Sequence, residues 1–288
     1  MSAPDPLPVC DSHMHVFGSL GTYPGAPDRT YTPSPKSLGE YEGMAATLGI
    51  TRIVIVQPSA YGTDNRCTLD ALATRKDSAR AVVVLGDSVP DERLTEWDAL
   101  GVRGVRLNLM SPRIGDPARA GEMLRRTAGR IAGLGWHIQI YADLELVRLL
   151  APLADRVPVP IVFDHMAGAR ATDALDSPGC ATLLALLREG GCWVKLSGAD
   201  IATWQTEDFA GIAPCARALI GANPKQLVWG TDWPHLVHFH GPQGDAAPAA
   251  AFRPVSERAL MASLADWAGT NETLRAILVD NPARLYRF

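Results

Sequence analysis

Short apolar runs rich in β-branched residues recur along the chain, and segments with helical patterns separate them. Eight such runs are present, at 9–15, 52–59, 81–87, 104–109, 136–142, 160–167, 192–198 and 227–233. Their apolar residues do not alternate with polar ones, which is typical of strands in a parallel sheet covered on both faces. Eight such strands separated by helices favour a closed (β/α)8 barrel (TIM barrel), an α/β fold.

The alternative fold is an open, doubly wound sheet. Such a sheet normally carries a glycine-rich phosphate turn after its first strand, and neither GxGxxG nor GxxxxGK[ST] occurs in this chain. A parallel barrel commonly uses about 250 residues as one domain. We therefore expect residues 1–288 to form a single barrel domain, with a long loop at 241–254 after the eighth strand.

Composition excludes several classes of protein. A net charge of −4 with 20% charged residues provides no basic surface for nucleic acid. No stretch approaches the roughly 20 apolar residues of a membrane span. The five cysteines are odd in number and form no CxxC pair, and the first residues lack the pattern of a signal peptide. We expect a cytoplasmic enzyme with reduced thiols and a small-molecule substrate.

Polar residues collect where the predicted strands end. In a parallel barrel the catalytic groups lie at these carboxyl ends. Buried polar groups cost free energy unless they are paired, so packing alone does not explain so many on one rim. The predicted site consists of residues from seven strands: His13, His15, Gln57, Ser59, Arg106, Asn108, Tyr141, Asp164, His165, Lys195, Ser197, Asp232 and His235.

Three of these positions have a specific chemical interpretation. His13 and His15 are two apart on one strand, so both imidazoles can face the barrel interior and form part of a metal site. Asp232, in GTDWPH, can ligate a metal or deprotonate a water, although an aspartate there can also cap a helix. Arg106, in GVRGVRLN, has the planar fork that suits carboxylate groups, whereas Arg103 is expected on the surface.

The chain resembles the amidohydrolase superfamily, in particular the branch related to 2-pyrone-4,6-dicarboxylate hydrolase and sugar lactonases. The matching stretches run along almost the whole chain: DSHMHVFG, RTYTP, VQPSAYGTDN, GVRGVRLN, WHIQIYAD, PIVFDHM, VKLSG, VWGTDWPH and NPARLY. The resemblance implies hydrolysis of a carboxylated lactone or pyrone in aromatic catabolism, with Asp232 as the base that activates water. It implies that three histidines polarise the carbonyl or surround the scissile ester: His13, His15 and His165. It also implies substrate contacts from Tyr31, Ser59, Arg106, Arg113 and Tyr141, and we expect a further contact from His235.

The same resemblance limits the metal content. Binuclear relatives place a lysine or glutamate on strand four and a histidine on strand five, where this chain has Arg106 or Asn108 and Tyr141. The remaining ligands suffice for at most one ion. We therefore expect either no required cofactor or one divalent metal such as zinc, held by His13, His15, His165 and Asp232.

One departure leaves the substrate open. The pyrone dicarboxylate enzyme carries a substrate-binding arginine just after its seventh strand, and this chain reads KLSGADIATW there. A muconolactone or an aldarolactone therefore fits as well as a pyrone dicarboxylate. A zinc-dependent decarboxylase of the same superfamily is the alternative reaction. A binding module without activity is disfavoured, because it has little use for a positioned base.

Overall fold

The computed structural model describes residues 7–110, 117–154, 156–237, 243–244 and 247–288. Eight parallel strands form one sheet in chain order, and each strand pairs with the next. The prediction of a (β/α)8 barrel is therefore confirmed. The strands are β1 (Val9–Met14), β2 (Ile50–Val56), β3 (Ala79–Val83), β4 (Val102–Asn108), β5 (His137–Tyr141), β6 (Ile161–Phe163), β7 (Trp193–Leu196) and β8 (Leu227–Trp229).

Helices cover the outside of the sheet, with at least one between each pair of consecutive strands. They are α1 (Leu38–Thr47), α2 (Arg66–Thr74), α3 (Asp91–Leu100), α4 (Pro117–Ile131), α5 (Leu144–Ala154), α6 (Pro178–Glu189), α7 (Ala199–Thr203), α8 (Ala213–Ala222), α9 (Glu257–Ala268), α10 (Asn271–Arg275) and α11 (Asn281–Tyr286). Local sequence signals determine where several of these helices begin or end. Ser37 and Glu40 form a capping box at the start of α1, and Gly101 ends α3 in the left-handed conformation.

The barrel closes where the chain segments after β1 and β8 meet. The His15 N–H donates to the Trp233 carbonyl at 2.9 Å, and the Asp232 N–H donates to the His13 carbonyl at 2.8 Å. Gly230 permits this approach, because a Cβ atom there would lie 2.5 Å from Cβ of His13. Barrel closure therefore brings the histidine pair and Asp232 together.

One end of the barrel interior is filled by an apolar cluster. Side chains from β2 and β3 join side chains from β6 and β7 on the opposite side, so the cluster lies inside the barrel. Tyr286 belongs to this cluster, and its carbonyl accepts a hydrogen bond from Arg80 Nε at 3.3 Å, near the start of β3. The C-terminal helix thus closes the amino end of the barrel, which leaves the carboxyl end for the polar residues.

Three further expectations concern the cysteines, membrane-spanning helices and the loop after the eighth strand. All five cysteines are free thiols. Within the described residues, no helix has both the length and the apolar character needed to cross a bilayer. The predicted loop at 241–254 lies partly outside the described residues.

Candidate active site

One carboxylate oxygen faces three imidazoles at the carboxyl end of the barrel. Asp232 Oδ1 lies 3.4 Å from Nε2 of His15, 3.5 Å from Nε2 of His13 and 3.9 Å from Nε2 of His165. All four side chains are buried. The structure therefore brings together the four residues predicted to be catalytic.

The backbone at Asp232 directs its carboxylate toward this cluster. Asp232 has a φ of 65°, in the left-handed region that non-glycine residues rarely adopt. Its N–H is bound to the His13 carbonyl, and its own carbonyl accepts the N–H of His235 at 2.9 Å. Such conformations persist only where the surroundings enforce them, and they are frequent at functional sites.

His165 reaches the cluster from a turn rather than from a strand. The predicted strand 160–167 ends at Phe163, and His165 has a φ of 53°. Its Nδ1 lies 3.0 Å from Ser197 Oγ, which fixes the orientation of the ring. Gly198 follows with a φ of 67°, and a Cβ atom there would lie 2.9 Å from the His165 side chain. The glycine of the VKLSG stretch is thus needed for the histidine to fit.

Behind His13 lies a set of buried polar side chains, Gln139, Asp164 and Lys195, which we call the buried network. Asp164 Oδ1 lies 3.3 Å from Nδ1 of His13 and 3.6 Å from Lys195 Nζ. Gln139 Nε2 donates to Asp164 Oδ2 at 2.9 Å, and Lys195 Nζ donates to Gln139 Oε1 at 2.6 Å. The charge of Asp164 is thereby compensated by Lys195 while its carboxylate faces the imidazole.

The electrostatics of the site favour an ionised carboxylate beside a neutral imidazole. Burial lowers the pKa of His13 well below its usual value, more strongly than Asp164 raises it. Burial alone raises the pKa of the Asp232 carboxyl, but His165, His15 and His13 outweigh it, so this pKa lies well below its usual value. Burial lowers the pKa of Lys195 to about 8. At neutral pH Asp232 is therefore an anion and His13 is uncharged.

The hydrogen-bond partner of one imidazole nitrogen determines whether the other nitrogen, which faces Asp232, can accept a hydrogen bond. Nδ1 of His15 lies 2.8 Å from the Val56 carbonyl, and because a carbonyl only accepts, Nδ1 carries the hydrogen. When the His15 ring is uncharged, Nε2 therefore has no hydrogen and its lone pair faces Asp232. Nε2 of His13 is buried and has no hydrogen-bond partner among the described atoms. Acceptor atoms that face one another in this way require a cation or a hydrogen-bond donor between them.

This donor set fits a divalent metal ion. Two overlapping groups of ligating atoms lie within 4.8 Å of one another: His13, His15 and Asp232, and His13, Asp164 and His165. Three imidazole nitrogens and one carboxylate oxygen are ligands that zinc accepts. Because both groups share His13, they accommodate one ion more readily than two.

Arg106 and Tyr141 border the histidine cluster. The Arg106 guanidinium lies over the Tyr141 ring at 5.8 Å, and the Tyr141 ring meets His165 edge-on at 5.3 Å. Arg106 Nη1 also donates to the Gln57 carbonyl at 3.2 Å, and its Nε lies 3.5 Å from Asp164 Oδ2. These contacts hold a buried cation beside the predicted base.

Tyr31 and Ser59 form a second pair near the site. The Ser59 hydroxyl donates to the Tyr31 hydroxyl at 3.3 Å. Burial raises the pKa of Tyr31, and the charges of Arg106 and Asp232 also act on it, which places the phenol near both. Arg113, the remaining predicted substrate contact, lies outside the described residues.

His235 lies between acidic side chains. Its Nε2 is 3.4 Å from Glu257 Oε1, and its Nδ1 is 3.9 Å from Asp200 Oδ2. Arg253 Nη1 donates to the same Asp200 oxygen at 2.9 Å. The predicted contact of His235 with substrate remains a prediction, and these acidic neighbours were not anticipated.

The buried network is the part of the site to which the sequence analysis assigned no role. Asp164 and Lys195 were placed on the rim without a function, and Gln139 was not singled out. One signal was available, since Lys195 lies in an apolar strand between Val194 and Leu196, where a charge requires a buried partner. Gln139 lies two residues before Tyr141 on β5, so both side chains face the same side of the sheet.

Comparison with known proteins identifies the family of the chain. Residues 10–288 match the family model described as Amidohydrolase. A 4-sulfomuconolactone hydrolase from Hydrogenophaga intermedia is 32% identical over 276 residues, which cover 96% of this chain and 88% of the relative. A 2-pyrone-4,6-dicarboxylate hydrolase from Comamonas testosteroni is 33% identical, with 98% of this chain and 90% of the relative covered. A Pseudomonas putida structure classed as a 2-pyrone-4,6-dicarboxylic acid hydrolase superposes with a TM-score of 0.81 at 33% identity, covering 98% of both chains. The chain belongs to the amidohydrolase family.

Proposed function

We propose that the protein hydrolyses a carboxylated lactone, and that Asp232 is the general base that activates the attacking water. The observation that carries the proposal is the approach of Asp232 Oδ1 to Nε2 of His15, His13 and His165, at 3.4, 3.5 and 3.9 Å. A base must be held in place before its basicity matters, and this carboxylate is fixed by its backbone and its neighbours. The names of two relatives, both lactone or pyrone hydrolases, support the same reaction.

The reaction balances with these groups. The water oxygen adds to the ring carbonyl carbon while one water proton passes to Asp232. The tetrahedral intermediate then collapses, the bond between the carbonyl carbon and the ring oxygen breaks, and Asp232 returns the proton to that oxygen. The product is an open-chain acid, which ionises at neutral pH and releases one proton for each ring opened.

The low pKa of Asp232 affects how the water is activated. An ionised carboxylate is ready to accept a proton, but a carboxylate this acidic is a weak base. The water or the carbonyl must therefore be polarised by a further group. His13, His15, His165 and Asp232 would hold a divalent ion such as zinc, which when bound lowers the pKa of water and polarises a carbonyl.

The substrate is proposed to be an anion. Arg106 offers a buried guanidinium beside the cluster, and a guanidinium binds a carboxylate through two parallel hydrogen bonds. Tyr141 borders the same cluster, and we expect it and the paired hydroxyls of Tyr31 and Ser59 to contact the ring. A muconolactone, a pyrone dicarboxylate and a sugar-acid lactone share the required chemistry, a cyclic ester that carries a carboxylate.

A ring-opening assay tests this proposal. The purified protein is incubated with 2-pyrone-4,6-dicarboxylate, 4-sulfomuconolactone and an aldarolactone, while a pH-stat records proton release and a sealed vessel traps carbon dioxide. We expect one proton per ring opened and no carbon dioxide with at least one substrate. Carbon dioxide release would instead indicate the decarboxylase, and no turnover of any lactone would contradict the proposed function.

Elemental analysis of the same preparation tests the proposed metal site. We expect at most one divalent ion per chain, because both groups of ligands share His13. Two tightly held ions per chain would contradict this interpretation of the site. The variant His13→Asn provides the control, since it removes the ligand common to both groups and should remove any bound ion.

A further inference from the structure

A small cavity adjoins the catalytic cluster on the side of β5, β6 and β7. Its volume is about 170 Å³, and both His165 and Tyr141 form part of its wall. Gly198, Ile201 and Ala202, from the segment that follows β7, also line it. A substrate ring placed beside His165 would therefore have room for a substituent in this cavity.

The cavity wall carries one cationic and one anionic side chain. Arg170, seven residues after the end of β6, is the only arginine or lysine among the described residues that line it. The carboxylate of Asp143, which also lines it, accepts the N–H of Leu146 at 2.8 Å at the start of α5. One oxygen of Asp143 is therefore held at the helix start as a cap, and Arg170 is the residue of this wall that can attract an anion.

The Arg170 guanidinium is available to a ligand. The backbone N–H of Arg170 donates to Asp173 Oδ2 at 2.8 Å. Within the described part of the chain, its side chain makes no hydrogen bond or ion pair. Arg148, which lines the adjoining surface groove together with Arg170, is instead paired with Glu145 at 2.6 Å.

We propose that Arg170 binds a second anionic group of the substrate, a carboxylate or a sulfonate on the lactone ring. The inference rests on the proposed function and narrows its substrate to a dianionic lactone. Arg106 lies over one side of Tyr141, and Arg170 lines the cavity that Tyr141 borders. One cation would then bind each acid, with the scissile ester near His165 between them. Arginine suits both groups, because its fork matches two oxygens of either.

Aromatic carboxylic acids, which contain no ester to hydrolyse, test the subsite by their binding alone. Benzene-1,3-dicarboxylate carries two carboxylates on a planar ring, and benzoate carries one. Calorimetry should show that Arg170→Met weakens the dicarboxylate at least tenfold and leaves benzoate within about twofold. Arg170→Lys should recover part of the loss, and Arg148→Met should change neither ligand. If Arg170→Met weakened the binding of both ligands equally, or of neither, the proposed subsite would be wrong.

Kinetics separate this inference from the proposed function. For 4-sulfomuconolactone, Arg170→Met should raise KM at least tenfold with little change in kcat, whereas muconolactone, which lacks the second acid, should be opened at the wild-type rate. If the wild type opens lactones but the variant does not distinguish the two substrates, the subsite is wrong and the hydrolase proposal stands. If the wild type opens no lactone, the hydrolase proposal fails, and the calorimetry alone decides whether Arg170 binds an anion.

Discussion

Asp164 Oδ1 lies 3.3 Å from Nδ1 of His13, while Nε2 of the same ring lies 3.5 Å from Asp232 Oδ1. The imidazole is thus held between two carboxylates, one in the buried network and one in the site. A carboxylate behind a histidine fixes the orientation of the ring and raises its basicity, and loss of such a partner commonly costs about 10–100-fold in activity or metal affinity. Asp164 is therefore expected to position His13 without touching substrate.

Asp164→Asn should lower kcat by about 10–100-fold because it disturbs His13, and it should raise KM less than Arg106→Met does, since Asp164 Oδ2 also lies 3.5 Å from Arg106 Nε. Stopped-flow or steady-state measurement of lactone opening gives both constants. Asp266→Asn is the control, since that carboxylate belongs to an exposed ion pair with Arg217. Circular dichroism should show that both variants are folded. An unchanged kcat in folded Asp164→Asn would refute the positioning role.

Arg106→Met should raise KM for carboxylated lactones at least tenfold, because it removes the buried guanidinium that we expect to bind the acid. The matched control is Arg103→Met on the same strand. Arg103 Nη1 lies 3.0 Å from Asp98 Oδ1 in a partly buried ion pair with α3. Arg103→Met should therefore leave KM unchanged. Similar KM values for Arg106→Met and wild type would remove Arg106 from the substrate site.

His137 should make the protein less stable in mild acid. Burial lowers its pKa to about 3, whereas the unfolded chain titrates near 6.5. Between these values the unfolded state binds more protons, so the free energy of unfolding falls as the pH falls below about 6.5. Between pH 7 and pH 5 the wild type should lose about 2 kcal/mol more than His137→Leu.

Urea denaturation at the two pH values measures this difference, and the other titrating groups cancel in the comparison with the variant. The His137 ring packs against Gly104 and Tyr286 at the amino end of the barrel, so the lactonase activity should not depend on it. Equal pH dependence in wild type and variant would show that His137 does not remain neutral in the folded protein.

Much of the barrel was predictable because its signals are local and repeated. Buried parallel strands produce apolar runs without alternation, and the residue that ends each run lies on the catalytic rim. The sequence therefore predicts that His13, His15 and Asp232 lie close together. The sequence does not predict the left-handed turn at His165, because the ring of this residue fits only beside Gly198, in the segment that follows β7.

Contacts between distant segments account for the rest. Asp200 and Glu257 approach His235 from α7 and α9, and no spacing in the sequence relates these three positions. Arg170, in the stretch DHMAGAR, has no assigned role in the sequence analysis, and its proposed role depends on the cavity beside Tyr141. Polar partners that meet through tertiary packing leave little trace in a single sequence.

The rate of lactone opening by Asp232→Asn tests the central claim most directly. Asparagine preserves the size of the side chain but cannot accept a proton from water at neutral pH. We expect a folded variant that binds benzene-1,3-dicarboxylate within a few-fold of the wild type and whose kcat falls by at least about 100-fold. A folded Asp232→Asn variant that opens the lactone at nearly the wild-type rate would contradict the assignment of Asp232 as the base.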